Sequence, residues 1–235
     1  MSATETRDAL QRVATHVLAR ARFAATGRFG LRATPGGFGT PAFGDGVEVL
    51  RVAGAVLVRE REGRASTTPL DGATLAGLAA FAGVDLTAPF DAGKDAPALG
   101  DPDAPLPIDA DAAAALADWW HLGWRVIDAV MADAADAMAM QLWPEHFDAG
   151  SSVAVGPGEN DRCNLGASPG DAYSEEPYLY LGPWTDARPG DASYWNAPFG
   201  AVLRRSELAA RADRYAAGVT FLRRGLELLS ADRSA

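Results

Sequence analysis

Cysteine, histidine and lysine are scarce in this sequence, and each scarcity removes a class of function. The single cysteine, Cys163, permits no disulfide within the chain and no paired-thiolate zinc site. The three histidines, His16, His121 and His146, never fall at the HExxH spacing that holds zinc on a helix. Lys94 is the only lysine, and 31 carboxylates against 21 basic side chains leave a net charge of −10. So acidic a chain repels phosphate backbones, which argues against nucleic acid as a partner. No uninterrupted apolar run is long enough to cross a bilayer. The first 23 residues carry charges throughout and lack the apolar centre of a secretory signal. These absences together predict a soluble, acidic, cytoplasmic protein with no membrane partner. Walker, dinucleotide, calcium-loop and G-x-S-x-G patterns are also missing, so no motif indicates a cofactor or a serine nucleophile. Cys163 lies in a strand-like RCNLG and reads as core packing.

What is present is a chain of ordinary globular composition, 48% hydrophobic and 22% charged, long enough at 235 residues to bury a core unaided. Residues 5–25 place Leu10, Ala14, Val17, Leu18 and Ala21 at three and four spacings, the pattern of an amphipathic helix, with Gly27 as its stop. Short apolar runs cut by Pro-Gly, Gly-Gly, Asp-Gly and Glu-Gly follow, as in a meander of antiparallel strands. The clearest strands are 47–52 and 55–59, with a return near 65–68. Gly36 to Gly39 could suggest a phosphate loop, but the lysine and hydroxyl of that motif are missing, and a turn is the better reading. Asp71 is expected to cap a short helix reaching Ala82. Residues 83–108, rich in Pro, Asp and Gly, form a long irregular connection, expected to be a mobile segment or an internal boundary in what is otherwise a single domain over 1–235.

A long helix is predicted over 109–139, capped by Asp109. Leu116, Trp120, Gly123, Trp124, Ile127, Val130 and Met138 lie on its apolar stripe, and Gly123 would let another backbone approach. From Gln141 the pattern returns to strands. A final helix is predicted from Ser206 to about Ser230, with Phe221 and Leu228 on the side away from its main apolar face, where they suit a second layer or another subunit. The class is α+β: largely antiparallel sheet in two strand groups, packed against about four helices.

Two stretches could carry chemistry. In LWPEHFD (Leu142–Asp148), an extended backbone would set His146 and Asp148 on one face, as a base with an orienting carboxylate or as two metal ligands. In SPGDAYSEEPYLYLGPW (Ser168–Trp184), Asp171, Glu175 and Glu176 precede alternating tyrosines. Ser168-Pro169-Gly170-Asp171 fits a type II turn and recurs as Arg188-Pro189-Gly190-Asp191, which favours a structural task for Asp171, holding nearby amides. Glu175 or Glu176 could complete a site with His146. His121, on a polar helix face, and His16, beside an apolar one, are weaker candidates.

The combination LWPEHFD, SPGD and EEPYLYLGPW resembles a family of uncharacterised bacterial proteins. The resemblance covers about a quarter of the chain and implies no activity, cofactor or residue role. It implies only that the two stretches are neighbours in the fold. The function expected first is binding of a small molecule or protein partner through an aromatic pocket near 142–148 and 168–184, lined by Trp143, Tyr178, Tyr180, Trp184 and Trp195. The alternative is a metal-assisted or acid–base hydrolase using His146 with Asp148 and Glu175 or Glu176. A homo-oligomer contact through Phe221 and Leu228 is a third expectation.

Overall fold

The first helix starts where the sequence supplies a reciprocal cap. The Ser2 hydroxyl accepts the Glu5 amide at 3.1 Å, and the Glu5 carboxylate accepts the Ser2 amide at 2.7 Å. In the computed structural model, which describes residues 2–134 and 136–231, α1 (Ala3–Val13) runs into a π-helical stretch at Ala14–Ala19 and then α2 (Arg20–Thr26). Gly27, at φ 69°, ends the helix as expected.

The glycine-cut meander forms a five-stranded antiparallel sheet in chain order: β1 (Arg32–Thr34), β2 (Gly37–Gly39), β3 (Glu48–Ala53), β4 (Val56–Arg61) and β5 (Arg64–Pro69). Gly36 turns the chain at φ 77°, and the residues after it are strand. Leu50, Val52 and Leu57 bury one face, while β5 is exposed along nearly its whole length. The helix α3 (Leu75–Ala82) is capped by Thr74, whose hydroxyl accepts the Gly77 amide at 3.0 Å. Asp71 does not cap it. Gly72 at φ 70° breaks the path into the helix, and Asp71 instead accepts the Ile108 amide at 3.2 Å.

Asp109 caps α4 (Ala110–Met131) through the Ala112 amide, as the sequence predicts. The helix is shorter than expected. Beyond Met131 only alanines and an exposed Met138 continue the stripe, so more helix would bury little apolar area. The chain extends instead: the Met138 amide donates to Ser152 at 2.8 Å, and the Ser151 hydroxyl donates to the Met138 carbonyl at 2.6 Å. The second five-stranded antiparallel sheet contains β6 (Gln141–Trp143), β7 (Asp148–Ala154), β8 (Arg162–Ser168), β9 (Tyr178–Pro183) and β10 (Ala201–Arg204), in the order β10-β9-β8-β7-β6. The predicted last helix is two, α5 (Arg205–Ala209) and α6 (Arg214–Ala231). Ser206 lies inside α5, and Asp213 opens α6 by accepting the Ala216 amide at 3.0 Å. An aspartate that satisfies first-turn amides competes with continued helix. The class is therefore α+β, and no helix among the described residues is long and apolar enough to cross a membrane.

The chain forms two compact units. One is Met1–His121 with Leu142–Phe147; the other is Leu122–Gln141 with Asp148–Ala235. In the first, Phe38, Trp120 and Phe147 meet edge to face with ring centroids 4.7–5.4 Å apart. Trp120 Nε1 donates to the Phe147 carbonyl at 3.1 Å, and Phe147 is held there at φ 59°. In the second unit Gly123 fulfils its expected role: a Cβ there would sit 2.3 Å from the Ala167 side chain on β8. Phe221 and Leu228 also find partners within this unit. The Phe221 ring lies 5.3 Å from that of Tyr194, and Leu228 packs beneath Gly190.

Candidate functional site

The predicted site residues that converge do so in the second unit, along a lane cleared by glycine. Gly150 on β7 faces Gly166 on β8, which faces Tyr180 on β9. A Cβ on Gly166 would sit 2.2 Å from the Tyr180 ring, so the ring lies directly over that glycine. It crosses the lane to donate from Oη to Asp148 Oδ2 at 2.5 Å. Tyr178 makes the parallel contact one step along the strand, donating to Asp171 Oδ2 at 2.6 Å, with the Ser168 hydroxyl at 3.3 Å from the same oxygen. Asp171 Oδ1 accepts the Tyr173 and Ser174 amides at 2.8 and 3.2 Å. Gly170 and Gly190 both sit at positive φ, 98° and 75°, in their repeated turns, and Asp191 holds Ser193 as Asp171 holds its own loop.

Burial, reinforced by Asp148, pushes the Tyr180 phenol well up; burial, reinforced by Asp171, does the same to Tyr178. Both rings stay neutral donors at any ordinary pH. They orient carboxylates and do not exchange protons near neutrality. Tyr173 and Phe199, each 38% exposed, close the cluster at the surface with ring centroids 5.1 Å apart.

The other expected residues are placed differently. Residues 144–147 form a turn and not a strand, with the Phe147 amide donating to the Trp143 carbonyl at 2.6 Å. The extended backbone that would align His146 with Asp148 is therefore absent, and Pro144 together with the left-handed Phe147 is the reason. His146 is exposed and belongs to the first unit, as does half-buried Trp143; Asp148 is buried and belongs to the second. Glu175 is exposed. Glu176 accepts the Ser206 amide at 2.5 Å and so serves the first turn of α5. Trp184 is half exposed and donates to Asn164 Oδ1 at 2.7 Å; Trp195 donates to the Pro189 carbonyl at 2.9 Å. Among the described residues, no three His, Cys, Asp or Glu side chains gather to hold a metal ion. Cys163 is fully buried, and burial pushes its thiol up, away from nucleophilic use.

A cavity lies elsewhere in the molecule, among residues that the sequence does not single out. The first unit holds a half-open cavity of about 560 Å³. Its walls come from α2, the first sheet, the end of α3 and the start of the irregular connection. Phe23, Phe43, Val84 and Pro89 supply apolar surface, and Ala21, Ala24 and Ala25 leave the space unfilled. The charged lining is Arg20, Arg59, Glu48 and Asp85. Arg59 is engaged: Nε donates to Glu48 at 2.8 Å and Nη1 to the Phe81 carbonyl at 2.9 Å. Arg20 is only 8% exposed. Its Nη1 donates to the Ala88 carbonyl at 2.5 Å, and its guanidinium lies 5.0 Å from the Phe90 ring centre. Its Nε has no hydrogen-bond partner. Burial pulls the Arg20 pKa down, and the charge of Asp85 acts against this.

Arg20 is the last rung of a ladder. Arg12, His16 and Arg20, four residues apart, reach the carbonyls of Leu99 and Asp101, of Pro97, and of Ala88 respectively. The connection expected to be mobile is therefore fastened along the first helix, and its start becomes a cavity wall. The usable sequence signal was the run Arg20–Ala25, where an arginine stands beside three alanines on one helix.

The chain matches no known protein family, no curated protein and no solved structure. Any functional reading therefore rests on these two constellations alone.

Proposed function

We propose that this protein binds a small, largely apolar molecule in the cavity of its first unit. One observation carries the reading: a cavity of about 560 Å³ with apolar walls contains the buried, incompletely bonded Arg20. Ligand pockets commonly span ~300–1,000 Å³ and combine apolar walls with a few fixed polar groups. A buried guanidinium without a carboxylate partner is costly, and an acceptor or counter-charge bound at the same wall offsets that cost. Isothermal titration with 1-decanol as a neutral apolar probe tests the reading. Saturable binding to wild type is expected, with loss in Ala24→Trp, where an exposed alanine on the wall is replaced by a side chain that fills the space. Absence of saturable binding to the wild-type protein sinks it.

Tyr173 and Phe199 favour a second reading, in which the tyrosine segment docks a protein partner as first expected from the sequence. Their exposed rings pack edge to face, Asp171 and Glu175 lie two residues to either side of Tyr173 in the chain, and an aromatic face in an acidic segment suits an arginine or lysine side chain of that partner. A peptide carrying Arg should then bind more tightly than the same peptide carrying Glu, and Tyr173→Ala with Phe199→Ala should erase the difference. Equal binding of the two peptides to wild type would remove this reading.

A further inference from the structure

We infer that the ligand of the first unit's cavity carries a single carboxylate at the end of an apolar body, and that Arg20 receives it. The inference rests on the binding reading above and adds the chemical class of the ligand. It follows from which polar groups on the wall are already engaged. Glu48 and Arg59 satisfy each other. Asp85 is exposed, and its Oδ1 accepts the Thr87 amide and hydroxyl at 2.8 and 2.7 Å. Among the described residues, no carboxylate lies within ion-pair distance of Arg20. The guanidinium is thus held by one carbonyl and one aromatic face, lines the cavity and has no carboxylate partner.

Its placement has a local cause. Arg20 follows directly on the π-helical stretch Ala14–Ala19. A π-helical turn carries more residues than an α-turn and shifts every later side chain around the helix axis, and such stretches recur at functional sites. Here the side chain that follows the shift is a buried cation, and three of the next four wall positions on α2 are the small Ala21, Ala24 and Ala25, the other being Phe23. A planar carboxylate matches guanidinium geometry. A monoanion also fits the rest of the wall better than a phosphate dianion, because with Glu48 paired to Arg59 only Arg20 is left to meet the ligand's charge and Asp85 would repel a second one. The remaining volume, faced by Phe23, Phe43 and Val84, takes an aliphatic or aromatic tail.

The test compares four probes of one chain length by isothermal titration at neutral pH and low salt: decanoate, 1-decanol, decylamine and decyl phosphate. Decanoate is expected to bind wild type at least about tenfold more tightly than decanol, the size of one charge-assisted hydrogen bond. Decylamine and decyl phosphate are both expected to bind more weakly than decanoate. Arg20→Gln should remove the preference for decanoate, its affinity falling by about tenfold more than that of decanol. If decanoate and decanol bind wild type equally, or if the amine or the phosphate binds best, the inference fails and the broader binding reading survives. If none of the four binds, both fail. Should Arg20→Gln not fold, the wild type decides: the Arg20 guanidinium N–H resonances must shift more with decanoate than with decanol.

Discussion

Two buried ionisable side chains, one in each unit, have different surroundings. Asp148 in the second unit receives a 2.5 Å bond from a phenol brought across two glycines for that purpose. Arg20 in the first unit is buried almost as deeply, yet one of its donors is bare and a cavity opens beside it. A chain that meets the needs of a buried charge from its own side chains has made a structural element. A chain that leaves the need open beside empty volume has made a place for something else. Carboxylates next to aromatics drew attention in the sequence because catalytic sites look like that. In the fold the same composition forms a hydrogen-bonded network of tyrosines and carboxylates, and the arginine beside the cavity is the more informative residue.

The contrast breaks most severely at Gly166. Its missing Cβ is what lets the Tyr180 ring lie flat. Gly166→Val should both overpack the sheet face and expel Tyr180 from Asp148, destabilising the second unit by about 4 kcal/mol. Urea unfolding measures this, and a cycle with Tyr180→Ala gives it a mechanism: with the ring removed, most of the penalty should vanish. A valine cost that persists in the Tyr180→Ala background would show that the lane does not exist to seat that ring. Next in size is Tyr180→Phe, which keeps the packing and removes one donor from a buried carboxylate. A loss of about 2 kcal/mol is expected; a loss near zero would mean that Asp148 does not depend on the phenol.

The legible parts of this fold are those fixed by local chemistry. Strands 48–53, 56–61 and 64–69 were readable because Gly54 and Gly63 must occupy left-handed turns between them. The start of α4 was readable from Asp109, and the two Pro-Gly-Asp turns from proline and glycine. Its end was not, because alanine serves a helix or an extended edge equally well once no apolar stripe decides between them. LWPEHFD misled for a related reason: nothing in a phenylalanine announces a left-handed backbone, and Phe147 adopts one because Phe38 and Trp120, distant in sequence, hold its ring. Asp148 and Tyr180, 32 residues apart, meet through strand register. Gly150 and Gly166, glycines inside strand-like runs, were the available hint. The cavity left almost no trace, since a void is written as alanines, which are equally at home on any helix surface.

At Arg20 the comparison predicts a small effect where a structural salt bridge would give a large one. Arg20→Met keeps the aliphatic packing and removes a buried cation that has no ion-pair partner, so stability should stay within about 1 kcal/mol of wild type or rise. Loss of the bond to the Ala88 carbonyl offsets part of the gain. If Arg20→Met costs more than Tyr180→Phe, Arg20 is itself structural, and the distinction between the two charges collapses.

The gentlest test concerns slope. His16 is buried between Arg12 and Arg20 on the ladder, and its Nε2 must carry hydrogen to donate to the Pro97 carbonyl at 2.8 Å, which leaves Nδ1 bare and without a partner. Burial chiefly, and the two flanking guanidinium groups secondarily, hold its pKa below the ordinary 6.5, while the bond to Pro97 opposes them. The unfolded chain therefore takes up a proton that the native chain refuses as pH falls below 6.5, and stability must drop in that direction. Glu5, Asp85 and Asp191 also have lowered pKa values, from their own hydrogen bonds, but they titrate below ordinary values of 4.5 and 3.8, so their stabilising contribution is lost only at still lower pH. Between pH 6.5 and 5 the loss should belong mainly to His16, and His16→Gln should flatten the dependence of the urea midpoint on pH. An unchanged slope in that variant would mean that His16 does not stay neutral where the ladder fastens the connection, and that the first unit's second incompletely bonded base has its charge met after all.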